Sequence, residues 1–274
     1  MSERKPPAVV VRPPRKDEWP KAAPDEDLLA TDPDGVFVAV APDGRVVWRA
    51  AAAVREDALL LARLDAEPSR LSDAVSHALL EAIRAYGASR RTRLFEAVAP
   101  GEPASVAFLL RAGLSLRTLV LTFAGATARD VREDATLANV GLGAALSGWV
   151  ADLDREARGF ARTPDWERAV ASGTVFALRR GGRPTAVGAL WRKGETAALG
   201  PVLGRSPEAS AALLLALAAR AGAPRLSVRL PAEAGALLAA VRRLGLAATK
   251  CVPLLTDRKR GDFRSLAGAP GLLF

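Results

Sequence analysis

Apolar and polar residues alternate along the chain in an order that occurs twice. In each half, two apolar strands flank a turn that closes at a glycine, Gly44 in GVFVAVAPDGRVV and Gly182 in GTVFALRRGGRPTAVGAL. An apolar strand, a polar loop and a helix with one apolar face follow. Each half then has a strand, a turn with proline, a helix that ends at Gly113 or Gly245, and a last strand. The pattern predicts an internal duplication.

The duplication predicts the domain organisation. A polar and weakly patterned stretch, ATARDVREDATLAN, separates the two halves around Thr127. We therefore expect an α+β protein of two tandem domains, residues 1–127 and 128–274, each with a mixed, mostly antiparallel sheet flanked by helices. The tail RKRGDFRSLAGAPGLLF contains glycine and proline in place of a periodic pattern. We expect it to be irregular and to pack on the second half.

Composition narrows the classes of function. The formal charge of +9 would attract polyanions such as nucleic acid, an anionic membrane surface or the phosphates of a nucleotide. Nucleic-acid surfaces usually add aromatic side chains for base stacking, and this chain has one tyrosine and eight phenylalanines. A basic nucleic-acid or ribosome-associated module therefore rests on charge alone and is the third hypothesis. We do not expect nucleic acid to be the partner.

Metal and membrane chemistry are not expected either. Cys251 is the only cysteine and His77 the only histidine, so an intrachain disulfide and a zinc site of the usual Cys/His type cannot form. The longest apolar run, Ala211–Ala219, is shorter than the roughly 20 residues of a membrane-spanning helix. The N-terminus mixes charge with proline and has no apolar stretch typical of a secretory signal. We expect a cytoplasmic protein, and we expect Cys251 to be a buried small residue in a strand.

The order of hairpin, strand–loop–helix and strand–helix–strand resembles the GNAT superfamily of acyl-CoA N-acyltransferases. PSRLSDAVSHALLEAI resembles its pyrophosphate-loop helix, and PASVAFLLRAGLSLRTLVLTF its next helix, glycine and strand. The second half, from LDREARGFART through GPVLGRSPEA to VRRLGLAAT, is similar to the C-terminal domain of some two-domain members. The resemblance implies transfer of an acetyl or other acyl group from CoA to an amine on a small molecule or a peptide.

The resemblance also implies where acyl-CoA binds. A helix N-terminus offers backbone N–H donors and a positive dipole to a diphosphate. The loop of the family reads roughly Arg/Gln-x-x-Gly-x-Gly, and the first half of this chain has other small or apolar residues in its place. The candidate acyl-CoA contacts in the first half are Leu64, Arg70, Leu71, Ser72, Asp73, Ala74, Val75 and Ser76. An ordinary capped helix that begins at Ser72 or Asp73 is the alternative.

The second half has a poorer match to the same loop. Its two glycine positions hold Glu208 and Ser210. A carboxylate at the first position would repel a phosphate, so we expect the acyl-CoA site in the first domain and a degenerate cofactor loop in the second.

Catalysis would need a base for the amine, a donor for the tetrahedral oxyanion and an acid for the thiolate. By resemblance, the oxyanion donor comes from the backbone of strand Leu59–Leu64. Glu96 and Asp65 are the candidate bases, because a strand can direct their carboxylates at the cleft. The family commonly has a tyrosine as the acid, and this chain has Leu109 and Val241 at the two corresponding places. The alternative hypothesis is therefore an inactive tandem GNAT fold that senses a ligand or binds a protein.

Overall fold

The computed structural model of the protein describes residues 9–15, 17–18, 31–66, 73–126, 137–139 and 148–268. The chain divides into two compact units, which we call unit 1 (residues 1–115 and 255–258) and unit 2 (residues 116–254 and 259–274). The sequence repeat predicts a boundary at Thr127. The two units divide after Ser115, near the start of a strand that pairs with strands of unit 2. Each unit is an α+β body with a mostly antiparallel sheet and flanking helices, and this confirms the predicted fold class.

Unit 1 has five strands and two helices in its described residues. They are β1 (Val10–Arg12), β2 (Val36–Val40), β3 (Val46–Arg55), β4 (Ala58–Ala66), α1 (Asp73–Ser89), β5 (Leu94–Val98) and α2 (Pro103–Arg111). Strands β1 to β4 pair with one another in antiparallel order, and β5 lies parallel to β4. Both helices pack on one face of this sheet, where Leu79, Ile83 and Leu109 are fully buried. The core of unit 1 therefore lies between the sheet and α1 and α2.

Unit 2 contains the last strand of the first sequence repeat, followed by the second repeat. The second repeat has the same order of elements as unit 1. Its elements are β6 (Ser115–Ala126), β7 (Leu137–Asn139), α3 (Gly148–Arg158), α4 (Thr163–Ser172), β8 (Thr174–Arg180), β9 (Arg183–Lys193), β10 (Thr196–Gly204), α5 (Pro207–Ala221), β11 (Arg225–Pro231), α6 (Gly235–Arg243), β12 (Ala247–Thr256) and β13 (Leu266–Ala267). Strands β7 to β10 are antiparallel, β10 and β11 are parallel, and β6 lies between β11 and β12. Ser115, the first residue of β6, and Leu255 and Thr256, the last two residues of β12, belong to unit 1.

A β-bulge interrupts the fourth strand of unit 1. Its core-facing residues Leu59, Leu61 and Leu64 are spaced by two and then by three positions, although a regular strand alternates at two. The register against β3 shifts by one residue after Leu61, so Ala62 is the extra residue. The bulge returns Leu64 to the apolar core instead of leaving it on the other face.

Unit 2 carries the same irregularity in the equivalent strand, β10. Ala197, Leu199 and Val202 repeat the spacing of two and then three, and all three belong to the core of unit 2. The register between β9 and β10 shifts at Gly200 and Pro201. The repeat seen in the sequence is therefore a structural duplication down to the position of a single extra residue.

Buried charges join elements inside each unit. In unit 1, Asp32 accepts hydrogen bonds from the Val54 N–H at 2.9 Å, the Tyr86 hydroxyl at 3.0 Å and the Arg55 Nη1 at 2.7 Å. In unit 2, Asp154 of α3 pairs with Arg162 at 2.8 Å. Both carboxylates are buried, so each is held by hydrogen bonds that compensate for the lost water.

Candidate active site

The central feature of unit 1 is the place where β4 and β5 separate. The two parallel strands pair from Ala58 with Leu94 to Leu61 with Ala97. Strand β4 then continues to Ala66, and no further pairing with β5 is found in the described part of the chain. The bulged residue Ala62 lies at this point, so backbone groups of β4 face a gap instead of a neighbouring strand. Such an edge can donate N–H groups to a carbonyl oxygen.

Glu96 lies one residue before the strands separate. It pairs with Leu60, and its side chain is only 5% exposed. Its neighbours Phe95 and Ala97 belong to the core under the helices, so alternation puts Glu96 on the opposite face of the sheet. Glu96 is thus a buried carboxylate beside this gap, and its role as the base stays a prediction.

Asp65 lies on the same face as Glu96 but farther along β4. It stands opposite Arg49, and its carboxylate is bound by the guanidinium of Arg63. Because a strand rises about 3.3 Å per residue, Leu60 and Asp65 are separated by roughly 15 Å. The structure does not bring the two candidate bases to one point, so they cannot act on the same atom.

The predicted acyl-CoA contacts are only partly described. Arg70, Leu71 and Ser72 lie outside the described residues. Asp73 and Ala74 open helix α1, which agrees with a loop followed by a helix N-terminus. Their side chains are not described, and their role stays a prediction.

The remaining predicted contacts have buried side chains. Leu64 at the end of β4 and Val75 and Ser76 in the first turn of α1 are exposed by 2%, 4% and 7%. Leu64 and Val75 pack into the core of unit 1, so a ligand at the surface of this turn would meet their backbone rather than their side chains. Contact between these residues and acyl-CoA also stays a prediction.

Two buried polar atoms near this region have no hydrogen-bond partner within the described part of the chain, Trp48 Nε1 and Ser105 Oγ. Trp48 stands opposite Ala66 at the end of β4, and its ring centroid lies 5.2 Å from that of Phe108 in α2. Ser105 lies one turn before Phe108 in the same helix. An unpaired buried polar group is unfavourable by about 1–3 kcal/mol, and a polar ligand would remove that cost.

Unit 2 lacks both candidate carboxylates. The parallel pairing of β10 and β11 sets Ala198 opposite Ser227, which is the position of Glu96 in unit 1. Leu203 follows Val202 as Asp65 follows Leu64. The places of the missing tyrosine, Leu109 in unit 1 and Val241 in unit 2, are fully buried apolar side chains.

The backbone N–H groups in the first turn of α5 in unit 2 are absent or already hydrogen-bonded within the turn. Pro207 has no N–H, and the Ala209 N–H donates to Ser206 Oγ at 3.2 Å. The Glu208 carboxylate accepts from its own backbone N–H and from the Ser206 hydroxyl, and these bonds lower the pKa of Glu208. A diphosphate would therefore find a carboxylate and no available donor at the first turn.

Three individual residues also bear on the sequence predictions. Cys251 is exposed, so the expectation of a buried residue is wrong; it lies in the part of β12 whose side chains face solvent. Trp48 and Trp191 both lie in the second strand of a hairpin, but they pair with Ala66 and Ala198, on opposite sides of the two bulges, so their positions are not equivalent. In the described residues there is no group of side chains suited to a metal, and no helix there is long and apolar enough to cross a membrane.

Comparisons with known proteins agree with this architecture. Residues 150–261 match the family model of the GNAT acetyltransferase domain. A proposed acetyltransferase from Pyrococcus horikoshii has 13% identity and a TM-score of 0.71, with 94% of each chain covered. A GCN5-related N-acetyltransferase from Sphaerobacter thermophilus has 14% identity and a TM-score of 0.61, covering 95% of this chain and 100% of that one. No curated protein sequence matches the chain.

A third solved structure is also similar to the chain. It is a tandem GNAT protein from the clavulanic acid biosynthesis pathway, with 14% identity and a TM-score of 0.53 over 92% of this chain and 84% of that one. At these identities the likeness concerns the fold. The chain therefore has the fold of these acetyltransferases, and residues 150–261 match the GNAT acetyltransferase domain family.

Proposed function

We propose that the protein is an N-acyltransferase that moves an acetyl or other acyl group from CoA to an amine on a small molecule or a peptide. We assign the reaction to unit 1. The observation that carries this proposal is the bulge at Ala62, where β4 and β5 separate beside the buried carboxylate of Glu96. Unit 2 has the same bulge but a serine in place of the glutamate.

Deprotonation of the amine, stabilisation of the oxyanion and binding of CoA each have a candidate group in unit 1. Glu96 would accept a proton from the ammonium form of the acceptor, since only the neutral amine attacks a thioester. The backbone N–H groups of β4 around Ala62 would donate to the oxygen that becomes negative in the tetrahedral intermediate. The N-terminus of α1, which begins at Asp73, would face the diphosphate of CoA.

The leaving thiolate has no acid from α2, because Leu109 is buried and apolar. We assign its protonation to water. A thiol has an ordinary pKa of about 8.5, so the thiolate can leave without a nearby acid at neutral or mildly alkaline pH. The second candidate function, an inactive fold that senses a ligand, is favoured by this same leucine, and turnover decides between the two.

The test is release of free CoA from acetyl-CoA, measured with a thiol reagent against a panel of small-molecule and peptide amines. Glu96→Gln keeps the shape of the side chain, and we expect it to lower kcat by about 10²–10⁴-fold with little change in KM for acetyl-CoA. Asp65→Asn is the matched control, because Asp65 lies roughly 15 Å along β4 from Leu60, the partner of Glu96. We expect its kcat to fall by less than about fivefold. Absence of turnover with every amine, or full activity in Glu96→Gln, would contradict the assignment.

A further inference from the structure

The C-terminal segment of unit 2 lies in the gap between β10 and β11. These strands pair only from Thr196 with Arg225 to Ala198 with Ser227, and then separate as β4 and β5 do. Residues Leu266–Ala267 form the short strand β13. The prediction of an irregular tail is therefore wrong at these two residues, although the described part of the tail, up to residue 268, does pack on unit 2 as predicted.

Strand β13 is hydrogen-bonded on both of its edges. On one side Leu266 pairs with Leu203 and Ala267 with Val202, directly after the bulge of β10. On the other side the backbones of Gly268 and Arg229 exchange two hydrogen bonds of 2.8 Å, N–H to O in each direction. The segment thus occupies the edges that the two separating strands would otherwise present to a ligand.

Contacts of Phe263 and Ser265 hold the segment immediately before β13. Phe263 is 1% exposed, and the guanidinium groups of Arg117 and Arg158 lie 4.3 Å and 5.3 Å from its ring centroid. The Ser210 hydroxyl of α5 donates to the Ser265 carbonyl oxygen at 2.7 Å. Burial of a phenylalanine together with paired backbone groups makes this an integral part of the unit rather than a loose end.

The entry to the segment requires a glycine. Gly261 has a φ of +66°, and a Cβ atom there would lie 2.5 Å from the Ala157 carbonyl oxygen of α3. Just beyond it, the Asp262 N–H donates to the Glu156 carbonyl oxygen at 3.0 Å. The chain is therefore fixed against α3 immediately before it enters the gap.

We propose that the cleft of unit 2 is a strand-binding groove whose ligand is the chain's own segment 262–268. The segment fills the space and uses the backbone donors that an acyl-CoA would need, so unit 2 binds no acyl-CoA. In unit 1 no strand fills the equivalent gap among the described residues. The chain then binds one acyl-CoA, in unit 1, and this part of the inference rests on the proposed function.

Engineered disulfides test this in the full-length chain. In a Cys251→Ser background, Leu203→Cys with Leu266→Cys, and separately Val202→Cys with Ala267→Cys, place cysteines at paired positions of β10 and β13. Directly paired residues of antiparallel strands have Cα atoms about 4.5–5.5 Å apart, within the range for a disulfide. Ala177→Cys with Val187→Cys, a pair across β8 and β9, is the positive control.

We expect at least one of the two β10–β13 pairs to oxidise within a single chain, as the control pair does, when followed by mass spectrometry. Acetyl-CoA titrated into the locked protein should bind at one equivalent, with a Kd within twofold of that of the reduced protein. If the control pair closes and neither β10–β13 pair does in folded protein, the segment does not occupy the groove. A loss of binding of tenfold or more on locking, reversed by reductant, or a second equivalent in the reduced protein, would also overturn the proposal.

The same experiment separates this proposal from the proposed function. If the wild-type chain binds no acetyl-CoA, the acyltransferase assignment fails. The disulfide result alone then tests whether segment 262–268 occupies the groove. Closure then supports the occupied groove, and failure to close overturns it.

Discussion

Replacement of Asp32 is the sharpest test of how unit 1 is held together. Its carboxylate is 7% exposed and receives hydrogen bonds from Arg55, Val54, Tyr86 and Thr31 at 2.7–3.0 Å. Removing one partner of a buried ion pair typically costs about 3–5 kcal/mol. We therefore expect Asp32→Ala to lower the free energy of unfolding of unit 1 by about 3–5 kcal/mol at pH 7.

Tyr86→Phe removes only one of these hydrogen bonds. A hydrogen bond to a charged group contributes about 1.5–3 kcal/mol, so we expect a loss in that range. Because Asp32 and Tyr86 share the bond, the double variant should be destabilised by less than the sum of the two single variants. Burial, and then the charge and hydrogen bond of Asp32, raise the pKa of Tyr86, so its hydroxyl remains a donor over the whole working range of pH.

The effect of Asp32 should depend on pH in one direction. Burial would raise the pKa of Asp32, but the charge of Arg55 and the hydrogen bonds from Arg55, Val54 and Thr31 outweigh it and lower the pKa below its usual value. The folded state then binds fewer protons than the unfolded state, whose carboxyl has a pKa of about 3.9. The stabilisation is complete above that value and is lost as the pH falls through the lower, folded pKa.

Hydrogen exchange followed by mass spectrometry can report on each unit separately. We expect Asp32→Ala to speed exchange in the helices and strands of unit 1 at pH 7 and to leave peptides of unit 2 unchanged. Chemical denaturation of the wild type and the variant should give a difference that shrinks on acidification below about pH 4. A cost under about 1 kcal/mol, or a difference that stays constant down to pH 2, would refute this view of the network.

Three further changes have defined outcomes. Phe263→Ala should cost about 3–5 kcal/mol in the stability of unit 2 by denaturant titration, because the ring is fully buried; a cost under 1 kcal/mol would contradict its packed position. Deletion of Ala62 should abolish soluble expression or cooperative melting, because it moves Leu64 out of the core; a folded deletion variant would refute the need for the bulge. Trp48→Phe removes the unpartnered N–H and should leave the melting temperature within a few degrees while weakening acetyl-CoA binding severalfold in calorimetry; unchanged affinity would show that Nε1 meets no ligand.

Much of the fold is readable from the sequence because it depends on local patterns. The turns at Gly44 and Gly182 and the helix ends at Gly113 and Gly245 have positive φ, which glycine adopts without strain. The bulge at Ala62 is an exception, because Leu60, Ala62 and Leu64 would also suit a regular strand, and the extra residue shows only in the register of β4 against β3. The repeated order of elements then determines most of each sheet.

Strand pairings between segments that are distant in the chain cannot be predicted from the sequence in the same way. Nothing local indicates that β6 pairs with β11, or that the two residues of β13 lie between β10 and β11. Leu266 and Ala267 are too short an apolar run to predict a strand, because their partners come from far away in the chain. The exposure of Cys251 is not predictable either, since the strand pattern does not tell which part of β12 is covered.

The candidate site was predictable only in its chemistry. Glu96 could be named as a carboxylate on a strand, but its place beside the gap depends on the parallel pairing of β4 and β5. Asp65 is a candidate for the same reason, and its distance from Glu96 follows from the strand register alone. The sequence pointed to Glu208 as unfavourable for phosphate, and the hydrogen bonds at the start of α5 give the physical cause.

The central claim, acyl-CoA binding by unit 1, is tested most directly by calorimetric titration of acetyl-CoA into three full-length proteins. Ala74→Glu gives α1 the carboxylate that unit 2 carries at Glu208, and Glu208→Ala is the matched change in α5. A carboxylate is favourable at a helix N-terminus, so Ala74→Glu should fold normally. An acyl-CoA site in unit 1 predicts one equivalent for the wild type, at least tenfold weaker binding for Ala74→Glu, and no change for Glu208→Ala. Unchanged binding in Ala74→Glu, or a gain or loss of binding in Glu208→Ala, would contradict it.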